Sequence, residues 1–191
     1  RLTTREQRRE ITRLPCDEGR VADLIRWKLG SGEKAYMPEA EAYEIFAAYG
    51  LPVPRHRMIR SAGEIDAAVA EIGLPVVMKI VSPDIIHKSD AGGVKVNLAT
   101  PEAVRRAYDE ILENARRYKA DARIEGVFMV EMAKKGIEVI LGATRDPAFG
   151  PICMFGLGGV FVEVMKDVTF RLAPMWELSA DNMIRQIKSY R

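Results

Sequence analysis

The amino-acid sequence predicts an α+β fold of two lobes, with mixed or antiparallel sheets and packed helices. Helical and strand-like segments alternate in the first part of the chain, and strand-like segments then follow one another directly. Consecutive strands favour antiparallel pairing over a doubly wound parallel sheet. With 191 residues, 48% of them hydrophobic, the chain can bury a core, so we expect one folded domain or two small ones.

Composition and charge exclude several classes of function. The 29 basic and 27 acidic residues give a formal net charge of +2, which is too small to attract a polyanion, so no nucleic-acid partner is expected. Cys16 and Cys153 lack metal-ligand spacing and no signal peptide is recognisable, which predicts a cytoplasmic protein without a disulfide or a zinc site. No apolar stretch is long enough to span a bilayer, so no membrane partner is expected.

The N-terminal part of the chain predicts helices. Residues 1–36 are charged and poorly periodic, which is typical of a helical lead-in or linker. From Glu39 onward apolar residues recur at helical spacing, and Gly50 is placed to end that helix. A short strand is expected near residues 57–59.

Two further helices carry N-terminal signals. Ser61-Ala-Gly-Glu64 is a capping box, which predicts a helix over residues 62–72. Thr100 followed by Pro101 is an N-cap with proline at the first helical position, and it opens a helix that ends near Tyr118. The strand-like segments that follow are residues 127–132, 136–144, 152–155 and 160–165.

The most informative segment pairs a lysine with a long polar loop. The β-branched run Val76–Val81 predicts a buried strand with Lys79 near its end, and residues 94–98 alternate as a second strand. The connecting loop, residues 83–93, is longer than an ordinary hairpin turn, which favours a functional role. A lysine on a buried strand must reach an anion or a carboxylate, so Lys79 is either a phosphate ligand or part of a plain salt bridge.

The loop contains residues suited to phosphate chemistry. The neutral imidazole of His87 can attack a phosphoryl group, and Lys88 beside it could neutralise the product. Ser89, Gly92 and Gly93 could offer hydroxyl and backbone N–H donors to phosphate oxygens. From the residues alone, a surface histidine beside an ordinary glycine turn is an equally good interpretation, and the segment matches neither the P-loop nor the dinucleotide fingerprint.

Several charged residues in the later part of the chain allow two interpretations. Glu131 and Glu138 lie on strand-like segments, and from the residues alone a solvated strand residue is as good an interpretation as a functional one. Glu163 and Asp167 could hold Mg²⁺, with Arg171 neutralising a phosphoryl group. Alternatively, Glu163, Lys166, Asp167 and Arg171 form salt bridges among themselves.

Together, three motifs resemble the ATP-grasp domain of the ADP-forming acyl-CoA (acetyl-CoA) synthetases. They are Lys79 with the His-Lys-Ser-Asp-Ala-Gly-Gly loop, the segment Phe155-Gly-Leu-Gly-Gly-Val-Phe-Val-Glu163, and residues 166–174. The resemblance covers residues 37–191 and implies an ATP-grasp domain that is C-terminally truncated. It implies a small lobe of about residues 55–126 that closes over a nucleotide on a second lobe of about residues 127–191, with the strand over 127–132 as hinge.

The resemblance also implies a reaction and a set of site residues. Acyl-CoA, ADP and phosphate would be converted to acid, CoA and ATP, with His87 as the catalytic residue that relays phosphate between the nucleotide and a second histidine on a CoA-ligase segment or subunit. Glu131 would lie at the adenine hinge and Glu138 at the ribose. The residues expected to contact ATP or ADP are Lys79, Lys88, Ser89, Gly92, Gly93, Glu131, Glu138 and Arg171.

Magnesium and activity follow from the same resemblance. Glu163 and Asp167 are the expected Mg²⁺ ligands in this chain, while the family's more familiar ligands would lie beyond residue 191. The chain alone is expected to show little or no turnover, because the CoA and acyl sites would lie elsewhere. The alternative is a non-catalytic nucleotide-sensing domain of a synthetase-like lysine acetyltransferase.

Overall fold

The computed structural model describes residues 15–30, 37–159 and 167–190. These residues form two compact units, the first spanning residues 15–134 and the second, in its described part, residues 135–190. The antiparallel sheets and packed helices confirm the predicted α+β class. Within the described ranges, none of the helices combines the length and apolar character that crossing a membrane requires.

The described part of the first unit combines four strands with four α-helices. The helices are α1 (Glu18–Gly30), α2 (Glu39–Ala48), α3 (Ile65–Ile72) and α4 (Pro101–Tyr118). The strands are β1 (His56–Ile59), β2 (Val76–Val81), β3 (Val94–Leu98) and β4 (Gly126–Glu131). The strands pair antiparallel in the order β1-β4-β2-β3, so the last strand in sequence is an inner strand of the sheet.

One face of this sheet packs against α3 and α4. Alternate residues of β2, namely Val76, Met78 and Ile80, are fully buried in a cluster with the apolar stripes of both helices. Helix α4 begins where the sequence predicts, because the hydroxyl of Thr100 accepts a hydrogen bond from the backbone N–H of Ala103 at 3.2 Å. This N-cap satisfies a backbone donor that the first helical turn would otherwise leave unpaired.

The opposite face of the sheet is covered in part by α2. The ring of Tyr43 packs edge-on against His56, with centroids 4.9 Å apart, and against Phe128, with centroids 5.8 Å apart. Lys79 lies directly opposite Phe128 across the β2–β4 pair. Since side chains alternate between the two faces of a strand, Lys79 points away from the α3–α4 core and toward α2.

β4 lies inside the sheet of the first unit, while the lobe boundary at about residue 126 stays a prediction. β4 pairs with β1 on one side and β2 on the other, and its residues from Gly126 to Val130 are all buried. A strand covered on both faces reads as a continuous apolar run, which accounts for the sequence Val-Phe-Met-Val. The described units divide after residue 134, so this strand belongs to the first unit.

In its described residues, the second unit is a three-stranded antiparallel sheet with one α-helix. It consists of β5 (Val139–Asp146), β6 (Gly150–Leu157), β7 (Val168–Leu172) and α5 (Glu177–Arg185). Phe155, Met183 and Ile187 form its buried cluster. The sequence did not single out β7, and the strand predicted over residues 160–165 lies outside the described residues.

Candidate functional site

Lys79 forms an ion pair on the α2-covered face of the first sheet. Its ammonium lies 2.6 Å from the Oε1 atom of Glu39, the first residue of α2. Both side chains are only about a quarter exposed, at 27% and 28%. The salt bridge that the sequence left open for Lys79 is therefore present, and its partner comes from a separate element.

The ion pair lies in the wall of a cavity of about 340 Å³ within the first unit. This volume falls within the usual range for small-molecule sites. Apolar parts of the wall come from Met58, Ile86 and Phe128, among others. The charged side chains in the wall are Lys28, Glu39, Lys79, Lys88, Arg123 and Glu125. Cations outnumber carboxylates in the wall even when Glu41, which pairs with Lys28 at 3.6 Å, is counted, so the cavity favours a ligand that carries negative charge.

The loop between β2 and β3 is fixed at both ends. Ile85 and Ala91 are buried in the α3–α4 core. The carboxylate of Asp84 accepts a hydrogen bond from the backbone N–H of Arg123 at 2.7 Å and lies 3.3 Å from the ammonium of Lys119. These contacts tie the start of the loop to the segment between α4 and β4.

His87 is exposed on this loop. Its two sequence neighbours, Ile86 and Lys88, both line the cavity that contains Lys79. His87 therefore lies on the part of the loop that borders the cavity. Ser89 is also exposed.

The two glycines that end the loop allow close packing. Gly92 has a φ of +62°, a conformation that favours glycine. A Cβ atom on Gly93 would lie 2.5 Å from the Cγ2 atom of Ile80. Their backbone N–H groups donate within the loop, from Gly92 to the carbonyl of Ser89 at 3.0 Å and from Gly93 to that of Lys88 at 2.8 Å. In this conformation the two amides stabilise the turn, which differs from the predicted use as phosphate donors.

Glu131 is held by an arginine at the end of β4. The guanidinium of Arg55 contacts both carboxylate oxygens, each at 3.1 Å. These hydrogen bonds favour the ionised carboxylate, and they lower the pKa of Glu131 below its ordinary value. The carboxylate therefore stays charged at neutral pH.

In the second unit, Glu138 lies against the glycine segment. The backbone carbonyl of Glu138 accepts a hydrogen bond from the N–H of Gly158 at 2.7 Å. A Cβ atom on Gly158 would lie 3.0 Å from the Cβ atom of Glu138, and one on Gly159 would lie 3.2 Å from its carboxylate. The glycines thus permit this close approach. The side chain of Glu138 is exposed.

Asp167 and Arg171 form hydrogen bonds with different partners. The buried carboxylate of Asp167 accepts hydrogen bonds from the N–H of Lys188 at 2.7 Å, and from the N–H and hydroxyl of Ser189 at 2.8 and 2.7 Å. The bond from the Ser189 hydroxyl is the main cause that lowers the pKa of Asp167. Arg171 donates to the side chain of Gln186 at 2.6 Å. Glu163 lies outside the described residues.

The described residues hold no metal-binding cluster of three or more His, Cys, Asp or Glu side chains. Asp167 caps the turn at residues 188–190, and its role as an Mg²⁺ ligand stays a prediction. Of the salt-bridge network considered for this region, Glu163 and Lys166 lie outside the described residues, and Asp167 and Arg171 each have their own hydrogen-bond partners.

Sequence reasoning missed Glu39 and Arg55 as parts of the site. In the sequence, Glu39 only marks the start of a helix, and no pattern assigns a role to Arg55. A lysine on a buried strand signals that a counter-charge is needed. However, the partner lies 40 positions away, and only the packing of α2 on the sheet identifies it.

Comparison with known proteins identifies the family. Residues 29–191 match the family model described as "ATP-grasp domain". The chain is 54% identical over 158 residues to the acetate–CoA ligase (ADP-forming) I subunit beta of Pyrococcus furiosus, an alignment that covers 83% of this chain and 68% of that protein.

Two solved structures agree with this match. The acetyl-coenzyme A synthetase 1 of Ca. Korarchaeum cryptofilum, in complex with coenzyme A and Ca-AMPCP, is 50% identical with a TM-score of 0.83 and covers 88% of this chain and 73% of that one. A second structure of that synthetase contains coenzyme A and Mg-AMPPCP, with its phosphohistidine segment pointing towards the nucleotide binding site. It is 46% identical with a TM-score of 0.74, covering 88% of this chain and 71% of that one.

The fold is thus that of an ATP-grasp domain. The chain belongs to the ATP-grasp domains of the ADP-forming acetate–CoA ligase family, in the part that corresponds to the β subunit.

Proposed function

We propose that this chain handles the nucleotide half of an ADP-forming acyl-CoA synthetase reaction and transfers phosphate between ADP and His87. One observation carries the proposal. Lys79 and Lys88 line a single cavity, and His87 immediately precedes Lys88 on the loop that borders it. The relative with a phosphohistidine segment pointing towards its nucleotide binding site supports the same interpretation.

The proposed step is a phosphoryl transfer. The terminal oxygen of ADP attacks phosphorus, a P–O bond forms, and the P–N bond to His87 breaks. The released nitrogen keeps the bonding electron pair. If the other ring nitrogen carries a proton, the imidazole leaves in its neutral form, and the products are ATP and unmodified His87. Such transfers require positioning and charge neutralisation more than covalent help from the protein.

The chain's cations would neutralise the phosphate charge. Lys79 acts as a point charge on the α- and β-phosphates, and Lys88 acts beside the transferred group. Ser89 donates its hydroxyl, while Gly92 and Gly93 shape the loop. Glu131 would lie beside the adenine of the bound nucleotide. The remaining two assignments, Glu138 for the ribose and Arg171 for the phosphoryl group, stay as the family resemblance implies.

Magnesium belongs to the proposal through the substrate. One solved relative carries Mg-AMPPCP, and a divalent ion would neutralise phosphate charge when it is bound. Glu163 and Asp167 are the ligands proposed in this chain. The described residues do not supply a ligand set, and Asp167 is engaged by Lys188 and Ser189, so we derive no step through the metal.

The proposed partner is a CoA-ligase segment or α subunit. It would carry the CoA and acyl sites and exchange phosphate with His87. The β-subunit name of the relatives supports a partner of this kind. Their ligase names also favour a synthetase over the nucleotide-sensing domain of an acetyltransferase.

The test is phosphate labelling of the complete protein with ATP radiolabelled on its γ-phosphate. We expect an acid-labile, base-stable label that His87→Ala abolishes. The same substitution at His56, the other histidine of the chain, serves as the control and should keep the label. A label that persists in His87→Ala would overturn the proposed relay.

A further inference from the structure

The carboxylate of Glu39 forms an ion pair with the ammonium of Lys79 in the cavity wall. The two atoms are 2.6 Å apart, and both residues line the cavity wall. A lysine ammonium has three donors and Glu39 takes one of them, so an anion that enters the cavity meets a cation that a carboxylate already engages. The charge on Lys79 is therefore largely offset before any ligand binds.

Glu39 is itself held in place from a second side. Its Oε1 atom also accepts a hydrogen bond from the hydroxyl of Tyr43, one turn later in α2, at 3.0 Å. Burial, followed by the nearby Glu39 carboxylate, raises the pKa of Tyr43 to about 12, so the hydroxyl remains a donor at neutral pH. The Tyr43 ring is in turn packed against His56 and Phe128.

The position of Glu39 at the start of α2 adds to this. The N-terminus of a helix favours a negative charge, and Glu39 is the first residue of that helix. The carboxylate is thus fixed by its own helix, whereas Lys79 reaches it through a long, flexible side chain. If one partner of the ion pair moves when an anion binds, Lys79 is the one that can.

We propose that Glu39 is a built-in competitor for Lys79, which weakens nucleotide binding by holding the ammonium that the phosphates need. The inference rests on the proposed function, because it takes Lys79 as the phosphate ligand. Phosphate groups carry more charge than a carboxylate, so they can draw the ammonium away. The fixed carboxylate also repels the phosphates, since like charges at close range oppose binding. Glu39 is thus a positioning residue that limits affinity and favours release of the product nucleotide.

The decisive measurement is the affinity for ADP in the complete protein that carries this chain, by isothermal titration calorimetry. Glu39→Gln keeps the size of the side chain and an oxygen for Tyr43 but removes the charge. We expect ADP to bind roughly three- to tenfold more tightly, and the KM for ADP to fall without a rise in kcat. A loss of structure alone would weaken ADP binding. Tighter binding therefore distinguishes the removal of a competitor from damage to the fold.

A matched control lies on the same helix. Glu44 pairs with Arg20 at 3.0 Å, and neither residue lines the cavity. Glu44→Gln removes the same charge from α2 and should leave the ADP affinity unchanged. Equal tightening in both variants would overturn the inference, because it would reflect net charge instead of competition for Lys79.

Two further variants keep the outcomes distinguishable. Lys79→Gln should weaken ADP binding at least tenfold, and an unchanged affinity there would contradict the proposed function itself. If Lys79→Gln weakens binding but Glu39→Gln does not tighten it, the competitor role alone is wrong. Should Glu39→Gln fail to fold, Glu39→Asp keeps a charge at the start of α2 but shortens the side chain by one methylene group, so it should loosen the contact with Lys79 and tighten ADP binding by a smaller factor. Unchanged or weaker binding in Glu39→Asp would then overturn the inference.

Discussion

At the scale of single residues, the loop after β2 depends on glycine because there is no room for a side chain. Gly93 approaches Ile80 so closely that a Cβ atom would lie 2.5 Å from its Cγ2 atom. The N–H of Ile80 also donates to the carbonyl of Gly93 at 2.8 Å. Packing and backbone hydrogen bonding therefore restrict the same position.

Gly93→Ala should destabilise the protein. The added methyl group must displace a fully buried isoleucine, and overpacking of this kind costs about 1–3 kcal/mol in the free energy of unfolding. Urea denaturation followed by circular dichroism measures the change. Gly63→Ala is the matched control, since its Cβ atom would meet nothing closer than 4.0 Å. A Gly93→Ala variant as stable as Gly63→Ala would show that the loop relaxes freely.

Asp167 gives the protein a pH dependence in the acidic range. Hydrogen bonds, chiefly from the Ser189 hydroxyl, lower the pKa of Asp167 in the folded state. The unfolded state therefore binds the proton more readily, and stability falls as pH drops. The contribution of Asp167 is complete above its unfolded-state pKa of about 3.9 and is lost as pH falls through the lower folded value.

Ser189→Ala tests this assignment. Loss of the hydroxyl donor should raise the pKa of Asp167 toward its ordinary value, which NMR titration of the carboxyl carbon detects. The loss of stability below pH 4 should become shallower as a result. Ser179→Ala, on helix α5, provides a control of the same chemistry. An unchanged Asp167 titration in Ser189→Ala would refute the stated cause.

At the scale of elements, the loop that carries His87 combines fixed ends with an exposed middle. Ile85 and Ala91 are buried, whereas His87 is exposed. Asp84 fastens the start of the loop to the segment after α4 through the N–H of Arg123. An exposed segment with buried ends can open locally without unfolding of the core.

Asp84→Ala should loosen this loop selectively. The variant leaves the backbone N–H of Arg123 without its carboxylate partner, so the amides of residues 85–93 should exchange faster with solvent. Hydrogen exchange measured by mass spectrometry should show a several-fold acceleration there, with little change in α4. Asp109→Ala, an acidic residue on α4, is the control. Equal protection of the loop in both variants would mean that the buried residues alone hold it.

Local sequence signals predict several elements of this fold, whereas contacts between distant elements are visible only in the structure. The strands β2 and β3 and the helix α4 were predictable, because alternation, capping and proline position are local signals. Two contacts were not predictable, since each joins elements far apart in sequence. They are the ion pair of Lys79 with Glu39 and the contact of the Arg55 guanidinium with both carboxylate oxygens of Glu131. An apolar run also does not reveal which strands will pair with it, so only the structure shows β4 as an inner strand of the first sheet.

At the scale of the whole molecule, the two compact units bury cores of very different size. Among the described residues, the core cluster of the first unit contains 16 buried residues, while that of the second contains three. Apolar burial is the main favourable term in folding, and stability varies from region to region within one protein. The first unit should therefore be the more stable of the two.

This difference predicts the order in which the units lose structure. In increasing urea, the amides of β5, β6 and β7 should lose their protection from hydrogen exchange before those of β2 and β4, because opening the second unit exposes less apolar surface. Hydrogen exchange followed by mass spectrometry resolves the two sets of strands in one experiment. Met183→Ala removes a side chain from the smaller core and should advance only the first loss, whereas Met129→Ala should advance only the second. Simultaneous loss of protection in both sheets at every urea concentration would mean that the units unfold as a single cooperative structure.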